Sequence, residues 1–173
     1  GLIVSPADSA GRMMVITSEH GTEIVRPILV LNVDEVDVVP PLTMPADSPV
    51  PLPDPDSLPR GAQVLVFQKG YNGYAAVADA YISEQTSEKS FGDEENLHAS
   101  GDLPEGSGFD NHIVVRFDDL GIDPGENICM AELWLHAEQA IAAPGFDVYA
   151  LVRDWEEADV SWQFPWSTPG AQG

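Results

Sequence analysis

Short apolar runs of alternating or continuous character recur along this sequence and predict β-strands. The clearest three cover residues 112–117, 128–138 and 146–155, and the turns between them are rich in glycine and proline. Alternation of period two would place one set of side chains of each run on a buried face and the other set in solvent. No stretch shows the 3.6-residue period of an amphipathic helix. The pattern therefore predicts an all-β protein, with these runs as three strands of a β-sandwich.

Three further apolar runs open the chain, over residues 1–4, 12–19 and 26–33, and turn-like residues separate them. The third begins at Arg26-Pro27, and the first position of a strand or a sheet edge tolerates proline. We expect three short strands in this part of the chain.

Residues 34–60 differ in character from the rest of the chain. They carry eight of the fifteen prolines together with several aspartates, and they contain no glycine and no aromatic residue. Because proline fixes φ and removes an N–H donor, this segment is excluded from helices and sheet interiors. We expect an extended, semi-rigid spacer of polyproline-II type, with a rise of about 3.1 Å per residue. A plain linker is the first interpretation, and a docking ligand for a PxxP-type receptor is the second.

A second folded region is predicted from residue 61 onward. Its first strand covers 62–68, a turn follows at Asn72-Gly73, and a short strand lies around Ala80–Ser83. The stretch 83–111 is polar, glycine-rich and acidic, and it includes a short predicted strand. Long loops inside a compact domain are usually functional or held in place by a bound group, and a metal ion is the obvious candidate here.

The charge of the chain limits its partners. It has 29 acidic and 7 basic residues, a formal net charge of −22, so a polyphosphate is repelled and nucleic-acid binding is disfavoured. A salty habitat, a need for solubility or a supply of oxygen ligands for Ca²⁺ would each explain this charge. No apolar run is long enough to span a membrane, and the first residues lack the basic start of a signal peptide. The single cysteine, Cys129, is predicted to be a small buried residue.

Catalytic signatures are weak, and we predict that the chain is not an enzyme. The serines and histidines show neither a nucleophile elbow nor the spacing of a zinc protease. The acidic cluster around Asp154, Glu156 and Glu157 could supply paired carboxylates only in principle. Arg116 and Arg153 lie in strand-like runs, where ion pairs with Asp118 or Asp154 are expected.

Calcium is the best-supported ligand that the residues indicate, since Ca²⁺ takes six to eight oxygen ligands from acidic loops. No EF-hand spacing is present, and a solvated acidic face is the alternative interpretation. The candidate ligands share an acidic or amide side chain in or near the loops of the second region: Asp79, Asp93, Glu94, Glu95, Asp102, Asp110 and Asn111.

A sugar-binding site would need exposed aromatic rings as platforms. Trp134, Tyr149 and Trp155 lie in or at the end of predicted strands and are expected in the core. Five other aromatic residues lie in loops or near the end of the chain and are the candidate carbohydrate-binding residues: Tyr71, Tyr74, Trp162, Phe164 and Trp166. Packing in the core or at an interface is an equally good interpretation of these five.

Four groups of residues resemble a known family in order and spacing. They are Asp79-Ala80-Tyr81-Ile82, then 116–120, then 128–135, then 148–157 followed by Val160-Ser161-Trp162. Over 64–166 the chain resembles the DNRLRE, or disaggregatase-related, domains of extracellular prokaryotic proteins, which are classed among carbohydrate-binding modules. The resemblance implies a jelly-roll-like antiparallel β-sandwich and an extracellular or cell-surface location. It also strengthens the calcium hypothesis, because similar jelly-roll modules often carry structural Ca²⁺.

Residues 1–33 resemble the closing part of the same type of domain. Gly1-Leu2-Ile3-Val4, Ser18-Glu19 and Arg26-Pro27 match that ending. The chain would then hold the C-terminal strands of one sandwich (1–33), a proline-rich acidic linker (34–60) and the N-terminal portion of another sandwich (61–173). A middle piece that such domains usually have is missing between the two.

Three interpretations of this arrangement remain open at the level of the sequence. The chain is a fragment of a longer tandem-repeat protein, a circularly permuted monomer, or a subunit of a filament. In the filament, the N-terminal strands of one copy complete the sandwich of the next copy head-to-tail. We expect a non-catalytic extracellular structural subunit or repeat of a surface fibre or matrix protein, with copies of itself as partners. The alternative is a carbohydrate-binding module attached to a polysaccharide-degrading enzyme, with polysaccharide as the partner.

Overall fold

The structure, a computed structural model, describes residues 1–7, 11–33, 63–101, 109–141 and 145–171. These residues form ten β-strands and three single-turn 3₁₀ helices, and they contain no α-helix. The strands are β1 (Leu2–Pro6), β2 (Arg12–Ile16), β3 (Ile28–Val33), β4 (Gln63–Phe67), β5 (Val77–Ser83), β6 (Asn96–Ser100), β7 (Asn111–Phe117), β8 (Ile128–Trp134), β9 (Ala137–Ile141) and β10 (Phe146–Ala150). The 3₁₀ helices cover Glu23–Val25, Tyr71–Gly73 and Pro169–Ala171.

The strands form two antiparallel sheets. The larger sheet has seven strands in the order β10-β1-β7-β6-β2-β9, with β5 also paired to β7, and the smaller sheet has the order β4-β3-β8. The predicted all-β, antiparallel class is confirmed, and two such sheets are consistent with a β-sandwich.

The three N-terminal strands lie inside the sheets. β1 is hydrogen-bonded between β7 and β10, β2 between β6 and β9, and β3 between β4 and β8. Each strand of residues 1–33 therefore has neighbours from the second region on both sides. Without them, six strands of the second region would each expose an unpaired edge to solvent.

The ends of the proline-rich segment are neighbours in the structure. Val33, at the end of β3, is the cross-strand partner of Gln63, at the start of β4. Directly opposed residues of an antiparallel pair have Cα atoms about 4.5–5.5 Å apart. The predicted spacer 34–60 lies outside the described residues, but its flanking strands show that the chain leaves β3 and returns to β4 at the same place.

The run 128–138, predicted as one strand, is two strands in different sheets. β8 pairs with β3 in the smaller sheet, and β9 pairs with β2 in the larger one. The chain crosses between the sheets at Leu135-His136, where the His136 carbonyl still accepts a hydrogen bond from the Ile16 N–H at 3.0 Å. Strands that bend and switch sheets in this way close the corners of β-sandwiches.

Neighbouring residues of the central strands pack on opposite faces of the larger sheet. Ile3 and Val114 belong to one buried cluster, whereas Val4 and Ile113 belong to another. The loop after β10 covers the first face with Trp155, Val160 and Trp162. Because both faces are covered, these strands read in the sequence as continuous apolar runs.

A glycine lets the C-terminal segment close over the buried Trp162. Gly170 has φ +80°, and a Cβ atom there would come within 2.9 Å of the Trp162 ring. Its N–H also donates to the Trp162 carbonyl at 2.7 Å. The turn and the close approach both require glycine at this position.

The strands β8, β9 and β10 each pair on one side only within the described part of the chain. Ile128, Val148 and Tyr149 are 50%, 54% and 56% exposed, respectively. Cys129 is also exposed, so the prediction of a buried cysteine is wrong. The prediction that Tyr149 lies in the core is wrong for the same reason, since an edge strand lacks a neighbour that would cover its side chains.

Candidate functional site

Polar side chains from four parts of the chain meet where the N-terminal region packs on β5. Ser18 and Glu19 follow β2, Lys69 follows β4, Asp79 lies within β5, and Glu157 lies in the loop after β10. We call these five residues the junction cluster. Asp79 is completely buried in it.

Asp79 is hydrogen-bonded to the N-terminal region and to the loop after β10. Its Oδ2 accepts a hydrogen bond from the Ser18 N–H at 2.8 Å, and its own N–H donates to Glu157 Oε1 at 3.0 Å. Lys69 forms an ion pair with Glu19, which adds a second link between the two regions. Asp79 Oδ1 has no hydrogen-bond partner among the residues that the structure describes. A buried carboxylate with one unpaired oxygen is a costly feature at neutral pH.

Burial raises the pKa of Asp79 from its ordinary value of 3.8 to about 6, and the negative charges of Glu157 and Glu19 add to the increase. The hydrogen bonds from Ser18 oppose this shift. Burial also raises the pKa of Glu157, against the effect of the Asp79 N–H and of Lys69. Asp79 and Glu157 therefore bind protons more tightly in the folded chain than isolated carboxylates do.

The predicted calcium ligands are dispersed over several elements. Asp79 is in β5, the run 93–95 precedes β6, Asp110 and Asn111 are at the start of β7, and Asp102 lies outside the described residues. Among the residues that the structure describes, no three side chains of His, Cys, Asp or Glu are arranged to hold a metal ion. The unpaired Asp79 oxygen is not accompanied by two further such ligands. Calcium binding stays a prediction.

A groove of about 660 Å³ lies beside β6, between this strand, β2 and the segment after β5. We call it the β6 groove. Tyr81 forms the aromatic side of the groove. Its ring stacks on Phe91 with the centroids 4.1 Å apart, and it makes a T-shaped contact with His98 with the centroids 5.1 Å apart. Phe109, 40% exposed, adds a ring to the lining. Its volume is in the range of small-molecule and cofactor sites.

The rest of the groove lining is mostly amide and hydroxyl. Asn111 Nδ2 donates to Ser100 Oγ at 2.6 Å and to the Phe109 carbonyl at 2.9 Å, so these side chains hold one another in place. Gln85 and Gln139 also line the groove. These groups can donate and accept hydrogen bonds with an uncharged polar ligand.

The groove lining carries little charge. Among the described lining residues none is acidic, and Arg12 is the only arginine or lysine. Burial lowers the pKa of His98, although Glu94 opposes the shift, so the ring is neutral at pH 7. Lys89 stands over the Phe91 ring at 4.1 Å and pairs with Glu94 at 3.8 Å. The groove is thus a nearly neutral surface on a strongly acidic chain.

The aromatic residues predicted for sugar binding lie elsewhere. Tyr71 and Tyr74 pack against the two faces of the smaller sheet, and Tyr74 donates to the Asp118 carbonyl at 2.6 Å. Trp162 is buried against His112, and Trp166 packs partly buried on the same cluster. Phe164 is the exposed member of the set and lines a second, more open hollow with Val152.

Most residues of the junction cluster and of the β6 groove were not predicted from the sequence. Ser18, Glu19 and Glu157 belong to segments that carry the family resemblance, but of the junction cluster only Asp79 was predicted to be a ligand. No signal in the sequence marks the β6 groove, because its lining comes from β2, β5, β6, β7, β9 and the loop after β5. The expected ion pair between Arg116 and Asp118 is present at 2.7 Å, whereas Arg153 donates to the Pro165 carbonyl.

Comparison of the chain with protein-family models, curated proteins and solved structures gave no match. The resemblance to the DNRLRE domains therefore stays a prediction. In the described part of the chain, no helix has the length and apolar character needed to cross a membrane.

Proposed function

We propose that the protein is a non-catalytic structural subunit of an extracellular fibre or matrix, and that copies join by exchanging the strands of residues 1–33. The observation that carries this proposal is the insertion of β1, β2 and β3 between strands of the second region. The jelly-roll-like arrangement, the cell-surface location and the acidic, solvated exterior are parts of the same proposal.

The N-terminal strands bring a large apolar surface to this contact. They contribute nine buried aliphatic side chains to the cores: Ile3, Val4, Val15, Ile16, Ile28, Leu29, Val30, Leu31 and Val33. A fully buried side chain of this kind is worth about 1.5–3 kcal/mol of transfer free energy. The same contacts form whether the strands come from the same chain or from a neighbouring copy. The choice depends on the concentration of neighbouring copies relative to the effective concentration of the tethered strands, which is set by the length and stiffness of the linker.

Paired cysteines in β1 and β10 test the exchange. Ser5 and Asp147 are cross-strand partners in these strands. Opposed Cβ atoms lie about 4.5–5.5 Å apart, close to the reach of a disulfide. We would prepare Ser5→Cys and Asp147→Cys as single variants and together, all in a Cys129→Ser background. After concentration and oxidation, non-reducing electrophoresis and intact mass report the products.

Exchange between copies predicts a covalent ladder from the double variant and a covalent dimer from the mixed single variants. Ser5→Cys mixed with Glu88→Cys, an exposed position outside β10, measures cross-links from random collision. Only an internal disulfide in the double variant at every concentration, with no dimer above the Glu88 control, would contradict the proposal.

Carbohydrate binding is our second proposed function, and the β6 groove is the observation that favours it. Stacked rings beside ordered amide and hydroxyl groups suit the alternating apolar and polar faces of a sugar. Screening of the intact protein by calorimetry against oligosaccharides tests this function. Absence of any glycan binding would remove it and leave the structural proposal unaffected.

A further inference from the structure

The β6 groove differs in charge from the chain that carries it. The chain has 29 acidic residues in 173, yet no acidic residue is found among the fourteen described lining residues. We propose that this groove binds an uncharged glycan and discriminates against polyanionic glycans. This inference rests on the carbohydrate-binding function proposed above and adds the class of glycan.

The local chemistry disfavours a cationic ligand. A cation would need a carboxylate in the lining, and Glu94, whose charge acts on Tyr81 and His98, is paired with Lys89 at 3.8 Å. Among the described lining residues, the guanidinium of Arg12 is the one formal charge at neutral pH, and it would repel such a ligand. Arg12 is exposed, so its N–H groups are available to hydroxyl oxygens of a sugar.

The charge of the whole chain disfavours a polyanionic ligand. A formal charge of −22 produces a repulsive field over the surface, and one arginine does not cancel it. This repulsion is screened beyond about 10 Å at 0.1 M salt, so it falls as salt is added. An uncharged glycan feels neither effect. Its binding depends on ring contacts and on hydrogen bonds from Arg12 and Gln139.

The experiment compares neutral and acidic oligosaccharides of equal length on the full chain. Isothermal titration calorimetry would use oligosaccharides of glucose, xylose and mannose, and oligosaccharides of galacturonic acid, at low and high salt. We expect at least one neutral oligosaccharide to bind with an affinity that changes less than about twofold with salt. The acidic oligosaccharide should bind at least tenfold more weakly at low salt, and its binding should improve as salt is added.

Two variants locate the binding in the groove. Phe109→Ala removes the exposed ring and should weaken the neutral oligosaccharide about five- to tenfold. Tyr149→Ala removes a ring of similar exposure on β10, outside the groove, and should leave the affinity unchanged. Arg12→Gln should also weaken binding of the neutral ligand, because it removes the guanidinium N–H donors.

Each outcome has one meaning. Tighter binding of the acidic oligosaccharide at low salt, with loss on adding salt, would overturn the inferred selectivity while the carbohydrate-binding function stands. Equal losses in Phe109→Ala and Tyr149→Ala would overturn the location. Binding of no oligosaccharide would remove both the function and the inference, and binding of extended peptides instead would show that the groove is a protein-interaction site.

Discussion

The buried carboxyl group of Asp79 predicts a specific dependence of stability on pH. Its pKa is about 6 in the folded chain, compared with 3.8 as the ordinary value. The folded state therefore holds this proton more tightly than the unfolded state does. The stabilising effect of protonation is complete below the ordinary value and is lost as the pH rises through about 6. The difference of about two pKa units corresponds to about 3 kcal/mol.

The substitution Asp79→Asn removes this titration while keeping the shape of the side chain. The free energy of unfolding of the variant minus that of the wild type should increase by about 2 kcal/mol between about pH 4 and pH 7.5. Because the comparison is a difference, the titration of the other carboxylates cancels to first order. The absolute offset depends on how the amide fits beside the Ser18 N–H. The change of the difference with pH is the quantity that tests the reasoning.

Urea unfolding followed by tryptophan fluorescence is a suitable assay, since Trp155 and Trp162 are buried. Asp159→Asn is the matched control, because it removes one exposed carboxylate of the same type. Its difference from the wild type shows how far the loss of one exposed carboxylate changes the pH dependence in the same assay. If the difference in the free energy of unfolding for Asp79→Asn stays within about 1 kcal/mol across this pH range, Asp79 does not lie in a buried site beside other negative charges.

Three more predictions concern the packing of the chain. Gly170→Ala should lower the free energy of unfolding by about 1–3 kcal/mol, because φ is +80° and a Cβ would meet the Trp162 ring; Gly21→Ala, with open space around it, should have little effect. Leu31→Ala in β3 should cost about 2–5 kcal/mol in the same urea assay, whereas the exposed Val148→Ala in β10 should cost far less. Native Cys129 should react with a thiol reagent without denaturant, at a rate close to that of the unfolded chain; slow labelling that speeds up on unfolding would show that β8 is covered.

The junction cluster was only partly predictable from the sequence. Asp79 was chosen as a calcium ligand because acidic residues near loops suggest oxygen ligands. Its carboxylate instead accepts the Ser18 N–H inside the sandwich, and its N–H is bound by Glu157. These partners are 61 and 78 residues away along the chain, so no local pattern could connect them.

The exposure of the aromatic rings was difficult to predict from the sequence for a related reason. Trp162 was proposed as a sugar platform because no strand pattern follows it, but the turn at Gly170 closes the C-terminal segment over its ring. Tyr81 lies in a predicted strand and is not among the candidate carbohydrate-binding residues, yet it lines the β6 groove. Whether a ring is exposed depends on which segment lies over it, and local sequence does not specify that segment.

The sequence by itself determined the strand-forming segments. Alternating and continuous apolar runs identify nine of the ten described strands, because the period of two is a property of the strand alone. It also determined the net charge of −22, which disfavours nucleic acids and polyanionic glycans as partners. Only the tertiary structure decided that residues 1–33 fill the interior of the sheets, that 34–62 begins and ends at one place, and that 128–138 crosses between sheets. Strand pairing is settled by contacts between distant residues, and the apolar pattern that drives such pairing is nearly the same for every strand in the chain.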